Sequence, residues 1–185
     1  MRLFTAIELP ESVREVLTEA ARPLKGACPE ASWVRTENLH VTLKFFGEVP
    51  ESQVTEVCNS LERVSVTGTA RVAVGGFEFF PPRGPARVIV LGLTGEVELI
   101  HRIFREIDRT TSEISFPSEA RPFAPHITLA RARRTIHNSA RKTLPPLLRW
   151  AGSPPAFEIT SFSLIESRLG PGGPQYLRLA TFPTK

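Results

Sequence analysis

The sequence is poor in the features that mark secreted and membrane proteins. Cys28 and Cys58 are its only cysteines, which is too few for a disulfide framework. No apolar run approaches the roughly 20 residues that span a bilayer. The segment from Met1 to Glu8 is too short, and becomes charged too early, for a signal peptide. These absences favour a cytoplasmic protein without a membrane partner.

Aspartate is almost missing, because Asp108 is the only one among 19 acidic residues. Two-metal phosphoesterases need clustered carboxylates, and no spacing of Cys and His in this chain fits a zinc site. We therefore predict that the protein uses no metal and no cofactor.

One tetrapeptide design occurs twice, as His40-Val41-Thr42-Leu43 and, 86 residues later, as His126-Ile127-Thr128-Leu129. The chain has only four histidines, so half of them belong to this repeat. Each segment alternates polar and apolar residues, as a half-buried strand does. Because residues i and i+2 share a face of a strand, each His projects beside its Thr. Two imidazoles and two hydroxyls suit phosphoryl chemistry without metal, since one His can accept a proton while the other donates one.

Positive charge is concentrated in the second half of the chain. Residues 1–95 carry 10 basic and 11 acidic side chains, whereas residues 96–185 carry 13 and 8. No acidic residue occurs between Ala120 and Phe157, a stretch that contains the second tetrapeptide. Such a run is often only a solvated basic face. Its position around His126 favours a phosphate-bearing partner, because a positive field attracts polyanions.

Apolar periodicity predicts both strands and helices. Strands are expected at residues 2–9, 32–35, 39–46, 71–80, 88–93, 125–132, 157–166 and 176–180, with a bulge at Gly75-Gly76. Helices are expected from Pro10 onward, around residues 54–61, and at residues 96–113 and 137–147. These elements do not follow the strict alternation of a doubly wound fold.

The expected fold class is therefore α+β. We predict a single domain over residues 1–185, built as two pseudo-symmetric lobes of antiparallel-rich sheet with outer helices around a central cleft. The lobes are placed at about residues 1–95 and 96–185. Their boundaries are not fixed by the sequence, and the terminal strands are free to cross between them.

Longer phrases of the sequence resemble the 2H phosphoesterase superfamily, which is named for two His-x-Thr/Ser-x motifs. The segments from Asn38 to Val49 and from Arg121 to Arg131 look like its two motifs in full context. The segment from Arg2 to Pro10 resembles its opening strand, and the segment from Ser167 to Tyr176 also fits. The resemblance is strongest to the RNA 2′,3′-cyclic phosphodiesterases, once called 2′-5′ RNA ligases. Phe46 departs from the pattern, since an aliphatic residue is more usual there.

This resemblance implies a cleft between two lobes, each of which supplies one motif. The implied activity is metal-free hydrolysis of a terminal RNA 2′,3′-cyclic phosphate to a 2′-phosphate, with a further ligase activity on tRNA halves. It implies that His40 is the acid that protonates the leaving 3′ oxygen and that His126 is the base that activates water. The physics of the sequence alone leaves these two roles interchangeable. Thr42 and Thr128 are expected to donate hydrogen bonds to the phosphate oxygens.

Four further residues are candidates for binding substrate. Lys44 and Phe46 share the face of His40 if the strand stays regular, so Lys44 would offset phosphate charge and Phe46 would stack on a base or pack in the core. Arg131 matches the family motif and would bind phosphate, but strand parity puts it opposite His126, so it needs a bulge or a strand end to reach the cleft. Tyr176 either contacts substrate or is a buried residue at the start of a strand.

Two other readings of the function stay open. The protein could act on another small cyclic phosphate or on 2′-5′ linkages. It could also be an RNA-end binding protein that captures phosphates without turnover. Of the remaining histidines, His101 is expected on a helix surface, and His137 is expected either against RNA backbone or in a solvated loop. No obligate protein partner is inferred.

Overall fold

The computed structural model describes residues 1–136, 139–171 and 173–185. Its strands form a single antiparallel sheet. Within these ranges the strands are β1 (Arg2–Glu8), β2 (Ala31–Trp33), β3 (His40–Glu48), β4 (Ala70–Phe80), β5 (Ala86–Gly95), β6 (His126–Ile136), β7 (Ala156–Ile159), β8 (Ser161–Gly170) and β9 (Gly173–Pro183). The helices are α1 (Glu11–Ala27), α2 (Glu51–Glu62), α3 (Glu98–Ser112) and α4 (Ala140–Thr143), with 3₁₀ turns at Thr36–Asn38 and Pro145–Leu147. The α+β class is confirmed.

The order of strands across the sheet is β7-β4-β5-β6-β3-β1-β8-β9, and β2 pairs with β6. Strands β3 and β6 therefore meet at the centre, with three further strands outward on each side. Their contact is narrow, because Val41 and Ile127 form the paired position that joins them. The sheet thus has two halves, one built on β3 and one built on β6.

These halves do not follow a division of the chain at residue 95. Strands β4 and β5, which end at or before residue 95, extend the sheet from β6, whereas β8 and β9, which come after it, extend the sheet from β1. The prediction of a single strand over residues 157–166 was wrong, because the segment breaks at Thr160 into β7 and β8. Strand β7 pairs with β4 and β8 pairs with β1, so the chain passes from one half of the sheet to the other at this break.

One face of the sheet carries the helices. The inward residues of α1, α2 and α3 belong to one core cluster with strand residues such as Leu3, Val41 and Ile127. The apolar stripes that predicted α1 and α3 are confirmed by buried Leu17 and Ile103. Each fully buried aliphatic side chain of this kind contributes about 1.5–3 kcal/mol to folding. None of the described helices combines the length and apolarity needed to cross a membrane.

Bulges change which face a residue takes. The one expected at Gly75-Gly76 is confirmed, since the register between β4 and β5 shifts between Val74 and Phe77. Against β1, the register of β3 skips Leu43, because Thr5 pairs with Lys44 and Ala6 with Thr42. A one-residue slip of this kind moves the following side chains to the opposite face of a strand.

Candidate active site

The pairing of Val41 with Ile127 brings the two tetrapeptides together. Both residues are fully buried in the core beneath the sheet. In an antiparallel ladder, this register sets His40 across from Thr128 and Thr42 across from His126. All four polar side chains flank the central pair, so they lie on the face away from the helices. The structure thus brings both imidazoles and both hydroxyls to one surface.

Both imidazoles are oriented by the same backbone contact. His40 Nδ1 lies 2.7 Å from the carbonyl oxygen of Asn38, and His126 Nδ1 lies 2.8 Å from that of Ala124. A carbonyl can only accept, so Nδ1 carries a hydrogen in both rings. Nε2 is then the nitrogen that can exchange a proton. In His40 this atom lies 2.9 Å from Thr42 Oγ1.

The two rings sit in different surroundings. His40 contacts Phe4 and Tyr176, with ring centroids at 5.0 and 5.4 Å. His126 contacts Phe80 edge to face at 4.8 Å. Burial lowers the pKa of both histidines below the ordinary value. The hydrogen bond from each Nδ1 to its carbonyl acts in the opposite direction and raises the pKa, while the charge of Arg131 lowers both pKa values further.

Arg131 reaches this face through a bulge. Against β5 the register of β6 skips Leu129, since Ile89 pairs with Ala130 and Val90 with Thr128. Leu129 and Ala130 are consequently buried in succession, and Arg131 emerges exposed. It lines a small pocket together with His40 and both motif threonines. The regular alternation used in the sequence analysis would have put it on the other side.

Two expected substrate residues lie elsewhere. The bulge at Leu43 turns Lys44 into the core, where its Nζ lies 2.7 Å from Asp108 Oδ1. Phe46 packs against Phe116, with ring centroids 5.1 Å apart, and joins the core cluster. Neither therefore shares the face of His40, because the assumption of a regular strand fails after Thr42.

Phe45, instead of Phe46, lies on the face of the sheet that carries His40. It is 61% exposed and lines the same small pocket as Thr42 and Arg131. Sequence reasoning missed it, although one signal was available. The segment Leu43-Lys44-Phe45-Phe46 breaks the alternation of apolar and polar residues, which is what a bulge produces.

Tyr176 lies at the junction of three depressions. The small pocket, about 40 Å³ in volume, also contains His40 and both motif threonines. Two larger depressions of about 410 and 450 Å³ flank it, and Tyr176 lines both of them as well. His126 is not among the residues lining the small pocket. His101 lies on α3 against Phe123, and His137 lies outside the described residues.

These groups define an α+β protein whose open face suits a tetrahedral oxyanion. Two Nε2 atoms can move protons, two hydroxyls can donate hydrogen bonds, and one guanidinium can offset negative charge. In the described part of the chain, no three His, Cys, Asp or Glu side chains are grouped so that they could hold a metal ion.

Comparison with known proteins assigns the family. The family model described as LigT like Phosphoesterase matches the chain twice, over residues 7–90 and 91–176. The chain belongs to this family of phosphoesterases. Each match contains one His-x-Thr motif, and the resemblance to 2H phosphoesterases seen in the sequence is confirmed.

Individual relatives agree along nearly the whole chain. An RNA 2′,3′-cyclic phosphodiesterase of Thermus thermophilus is 33% identical over 190 residues, covering 98% of this chain and 89% of the relative. One of Methanocaldococcus jannaschii is 31% identical over 180 residues, covering 95% and 96%. The crystal structure of TT0787 of Thermus thermophilus matches with a TM-score of 0.81 and 28% identity, covering 99% of this chain and 97% of its own. E. coli LigT complexed with 3′-AMP shares the fold, with a TM-score of 0.78 and 22% identity over 99% and 97%.

Proposed function

We propose that the protein hydrolyses the 2′,3′-cyclic phosphate at the 3′ end of RNA to a 2′-phosphate, with His40 and His126 as its acid and base. The observation that carries the proposal is the pairing of Val41 with Ile127, which sets both His-x-Thr motifs on one face. The substrate is inferred from the relatives, because RNA 2′,3′-cyclic phosphodiesterases match almost the whole chain.

In the proposed reaction, Nε2 of His126 takes a proton from a water molecule as the water oxygen bonds to phosphorus. The bond from phosphorus to the 3′ oxygen breaks, and Nε2 of His40 gives its proton to that oxygen. The product carries a 2′-phosphate and a 3′-hydroxyl. Solvent then removes the proton from His126 and returns one to His40. General acid–base catalysis of this kind contributes about 10²–10⁴-fold to rate.

The other polar groups act on the phosphate itself. Thr42 and Thr128 donate hydrogen bonds to the non-bridging oxygens, where negative charge grows in the transition state. Arg131 offsets the charge of the bound phosphate. In the free protein, burial and the charge of Arg131 lower the pKa of both imidazoles. The negative charge of a bound phosphate acts in the opposite direction and raises both pKa values. Substrate binding therefore helps His40 to hold the proton that it must donate.

His126 suits the role of base. Its Nδ1 is held by the carbonyl of Ala124, and no hydrogen bond to its Nε2 is formed within the described residues. A water molecule can therefore approach Nε2. In contrast, Nε2 of His40 already lies at hydrogen-bond distance from Thr42.

The same steps would join two RNA ends if a 5′-hydroxyl replaced water. Its oxygen would bond to phosphorus as the 3′ oxygen leaves, which forms a 2′-5′ linkage. Depressions on both sides of the small pocket offer room for a second chain. Halves of a cleaved tRNA are suitable RNA partners for both reactions.

The test is to incubate the protein with an RNA ending in a 2′,3′-cyclic phosphate and to identify the product terminus. We expect a 2′-phosphate and a 3′-hydroxyl, at the same rate with and without EDTA. A 3′-phosphate product, or loss of activity in EDTA, would contradict the proposal. Tight binding without turnover would instead support an RNA-end binding protein, and faster turnover of a cyclic phosphate that is not RNA would support another phosphodiesterase.

A further inference from the structure

The larger of the two flanking depressions adjoins the reaction site and has its own character. Its volume is about 450 Å³, and we call it the Arg2 pocket. It is lined by Arg2, Phe4, Phe45, Arg131, Ser167, Leu169, Pro174 and Tyr176. Three of these residues, Phe45, Arg131 and Tyr176, also line the small pocket that contains His40. A chain that leaves the small pocket on this side therefore enters the Arg2 pocket directly.

The Arg2 pocket is cationic. Two guanidinium groups line it, from Arg2 and Arg131, and its lining contains no carboxylate. Among the described residues, neither arginine forms an ion pair. Both arginines are close enough to act on the hydroxyl of Tyr176. Burial raises the pKa of that hydroxyl, and the charges of Arg131 and Arg2 oppose the rise. Two such cations around one depression attract an anion.

The depression on the other side of Tyr176 differs in charge. It contains the carboxylates of Glu8 and Glu37 together with Arg14 and Arg178. Glu8 there pairs with Arg178 at 2.9 Å. Its charges are thus largely balanced, so a polyanion is drawn toward the Arg2 pocket instead.

Exposed apolar side chains also border the Arg2 pocket. Phe45 is 61% exposed and Leu169 is 77% exposed, and both line it. Large apolar groups left in water beside a cationic groove are typical of surfaces that hold nucleobases. Neither side chain belongs to a core cluster, and Phe45 contacts buried Phe4 with ring centroids 5.8 Å apart while most of its surface stays exposed.

We propose that the Arg2 pocket is a second nucleotide subsite, which binds the RNA immediately upstream of the cyclic phosphate. Arg2 neutralises the phosphodiester on the 5′ side of the terminal nucleoside, Arg131 adds positive charge where the two pockets meet, and Phe45 and Leu169 support the preceding base. The proposal rests on the proposed function and extends it. Its consequence is a preference for RNA ends over free cyclic mononucleotides.

Three substrates separate the contributions of phosphate and base. The first is a nucleoside 2′,3′-cyclic phosphate, the second is the same compound with a 5′-phosphate, and the third is a dinucleotide with the same cyclic end. We expect kcat/KM to rise from the first to the second and again to the third. Turnover of the first compound tests the proposed function by itself, so its failure is distinct from failure of the subsite.

The variant Arg2→Ala tests the cationic part of the subsite. We expect the preference for the 5′-phosphorylated compound over the unphosphorylated one to fall about tenfold, as for loss of one charged hydrogen bond. The slope of log(kcat/KM) for the dinucleotide against log salt should become shallower by about 0.7, the value for one phosphate contact on a single strand. Arg2→Lys should retain most of the preference and the slope.

Arg22→Gln is the matched control, because it removes one positive charge from α1, outside the Arg2 pocket. It should leave both the substrate preference and the salt slope unchanged. An Arg2→Ala protein with wild-type preference and slope would overturn the proposal, as would equal kcat/KM on all three substrates. An equal change in Arg22→Gln would also overturn it, since the effect would then be general charge.

Discussion

Strands β3 and β6 repeat one local structure, but their side chains differ in character from the fourth residue after the histidine onward. In each strand the histidine comes first, its Nδ1 contacts the carbonyl two residues before it, and a leucine three residues after it forms a bulge. Beyond the bulge, β3 presents Phe45 to the pocket, whereas β6 presents Arg131. The backbone features that orient the two imidazoles are thus shared, and the side chains around the imidazoles are not.

A second difference lies beneath the sheet. The residue buried by the bulge is Lys44 in β3 and Ala130 in β6. Lys44 needs the carboxylate of Asp108, while Ala130 needs no partner. In the proposed reaction, the features shared by the two strands set the geometry of proton transfer. The features that differ are the ring of Phe45 beside the pocket in β3, the guanidinium of Arg131 beside it in β6, and the ion pair that joins Lys44 of β3 to Asp108 of α3.

If the shared geometry matters, both histidines should be required. We expect His40→Ala and His126→Ala each to lower kcat by about 10²–10⁴-fold, because each removes one proton transfer. Single-turnover rates on a cyclic-phosphate RNA measure this effect. The double variant should be little worse than either single one, since the two groups act as a unit.

His101→Ala is the control for loss of a histidine, because His101 lies on α3 rather than on a motif strand. Its rate should stay near that of the wild type. All three variants should melt near the wild-type temperature. A His40→Ala or His126→Ala protein with undiminished kcat would break the symmetry that we infer between the strands.

The ion pair under β3 should dominate the difference in stability between the strands. We expect Asp108→Leu to cost about 3–5 kcal/mol in the free energy of unfolding, because it leaves the buried Lys44 without a partner. Urea unfolding at neutral pH measures this cost. Adding Lys44→Met to Asp108→Leu should restore most of the loss. A single variant as stable as the wild type would contradict this role.

Acid should weaken the same contact. Burial opposes ionisation of Asp108, but hydrogen bonds from Lys44 and the Glu119 amide outweigh it and hold its pKa below the ordinary value of 3.8. The stabilisation is therefore complete above that value and is lost as the pH falls through the lower pKa of the folded state. In the double variant this acid-dependent part of the unfolding free energy should disappear.

The two hydroxyls should contribute comparably if the strands are equivalent at this step. We expect Thr42→Val and Thr128→Val each to lower kcat by about 10–100-fold, the effect of losing one hydrogen bond to a charged group. Valine keeps the shape and the strand preference of threonine. Thr→Ser at either position keeps the hydroxyl and should stay within a few-fold of the wild type. A large effect at only one threonine would show that one strand binds the phosphate alone.

The smallest expected effect is a shift along the pH axis. Because burial and Arg131 lower the pKa of both histidines, we expect kcat/KM to peak below pH 6.5, the ordinary value for histidine. It should fall at higher pH as the acid loses its proton. Arg131→Gln removes a positive charge near both rings and should move both limbs of the profile to higher pH. Arg131→Lys should leave the limbs in place.

Neighbouring carboxylates sharpen this test. Glu8 raises the pKa of His40, and Glu78 raises that of His126. Glu8→Gln and Glu78→Gln should therefore each move one limb, and different limbs, to lower pH. A shift of the limbs to lower pH in Arg131→Gln would contradict the effect of Arg131 on the two pKa values. A shift of the same limb in both glutamate variants would contradict the pairing of Glu8 with His40 and of Glu78 with His126.

Much of the fold could be predicted from local patterns. The stripe in residues 96–113 places α3 within two residues of its bounds, and the alternation in residues 2–9 places β1. The order of strands could not be predicted, because pairing between distant segments leaves no local signal. The break at Thr160 was missed for the same reason: apolar residues continue through it while their partner strand changes.

The site divides in the same way. The pattern of i and i+2 residues places each His beside its Thr, and the structure puts these groups on one face. Residues beyond the bulges at Leu43 and Leu129 could not be placed by parity, which explains why Lys44 was wrongly placed beside His40. For Phe46, the alternative of packing in the core is the one that the structure confirms. The place of Arg2 in its pocket was missed because it depends on how β1 lies beside the hairpin of β8 and β9.

The most direct test of the paired imidazoles is a substrate that needs no acid. In a cyclic phosphate with sulfur in place of the 3′ oxygen, the leaving thiolate departs without a proton. We expect His40→Ala to hydrolyse this compound nearly as fast as the wild type, while His126→Ala remains slower by about 10²–10⁴-fold. Equal impairment of both variants on the sulfur and oxygen substrates, or rescue of His126→Ala instead, would contradict the assignment of His40 as acid and His126 as base.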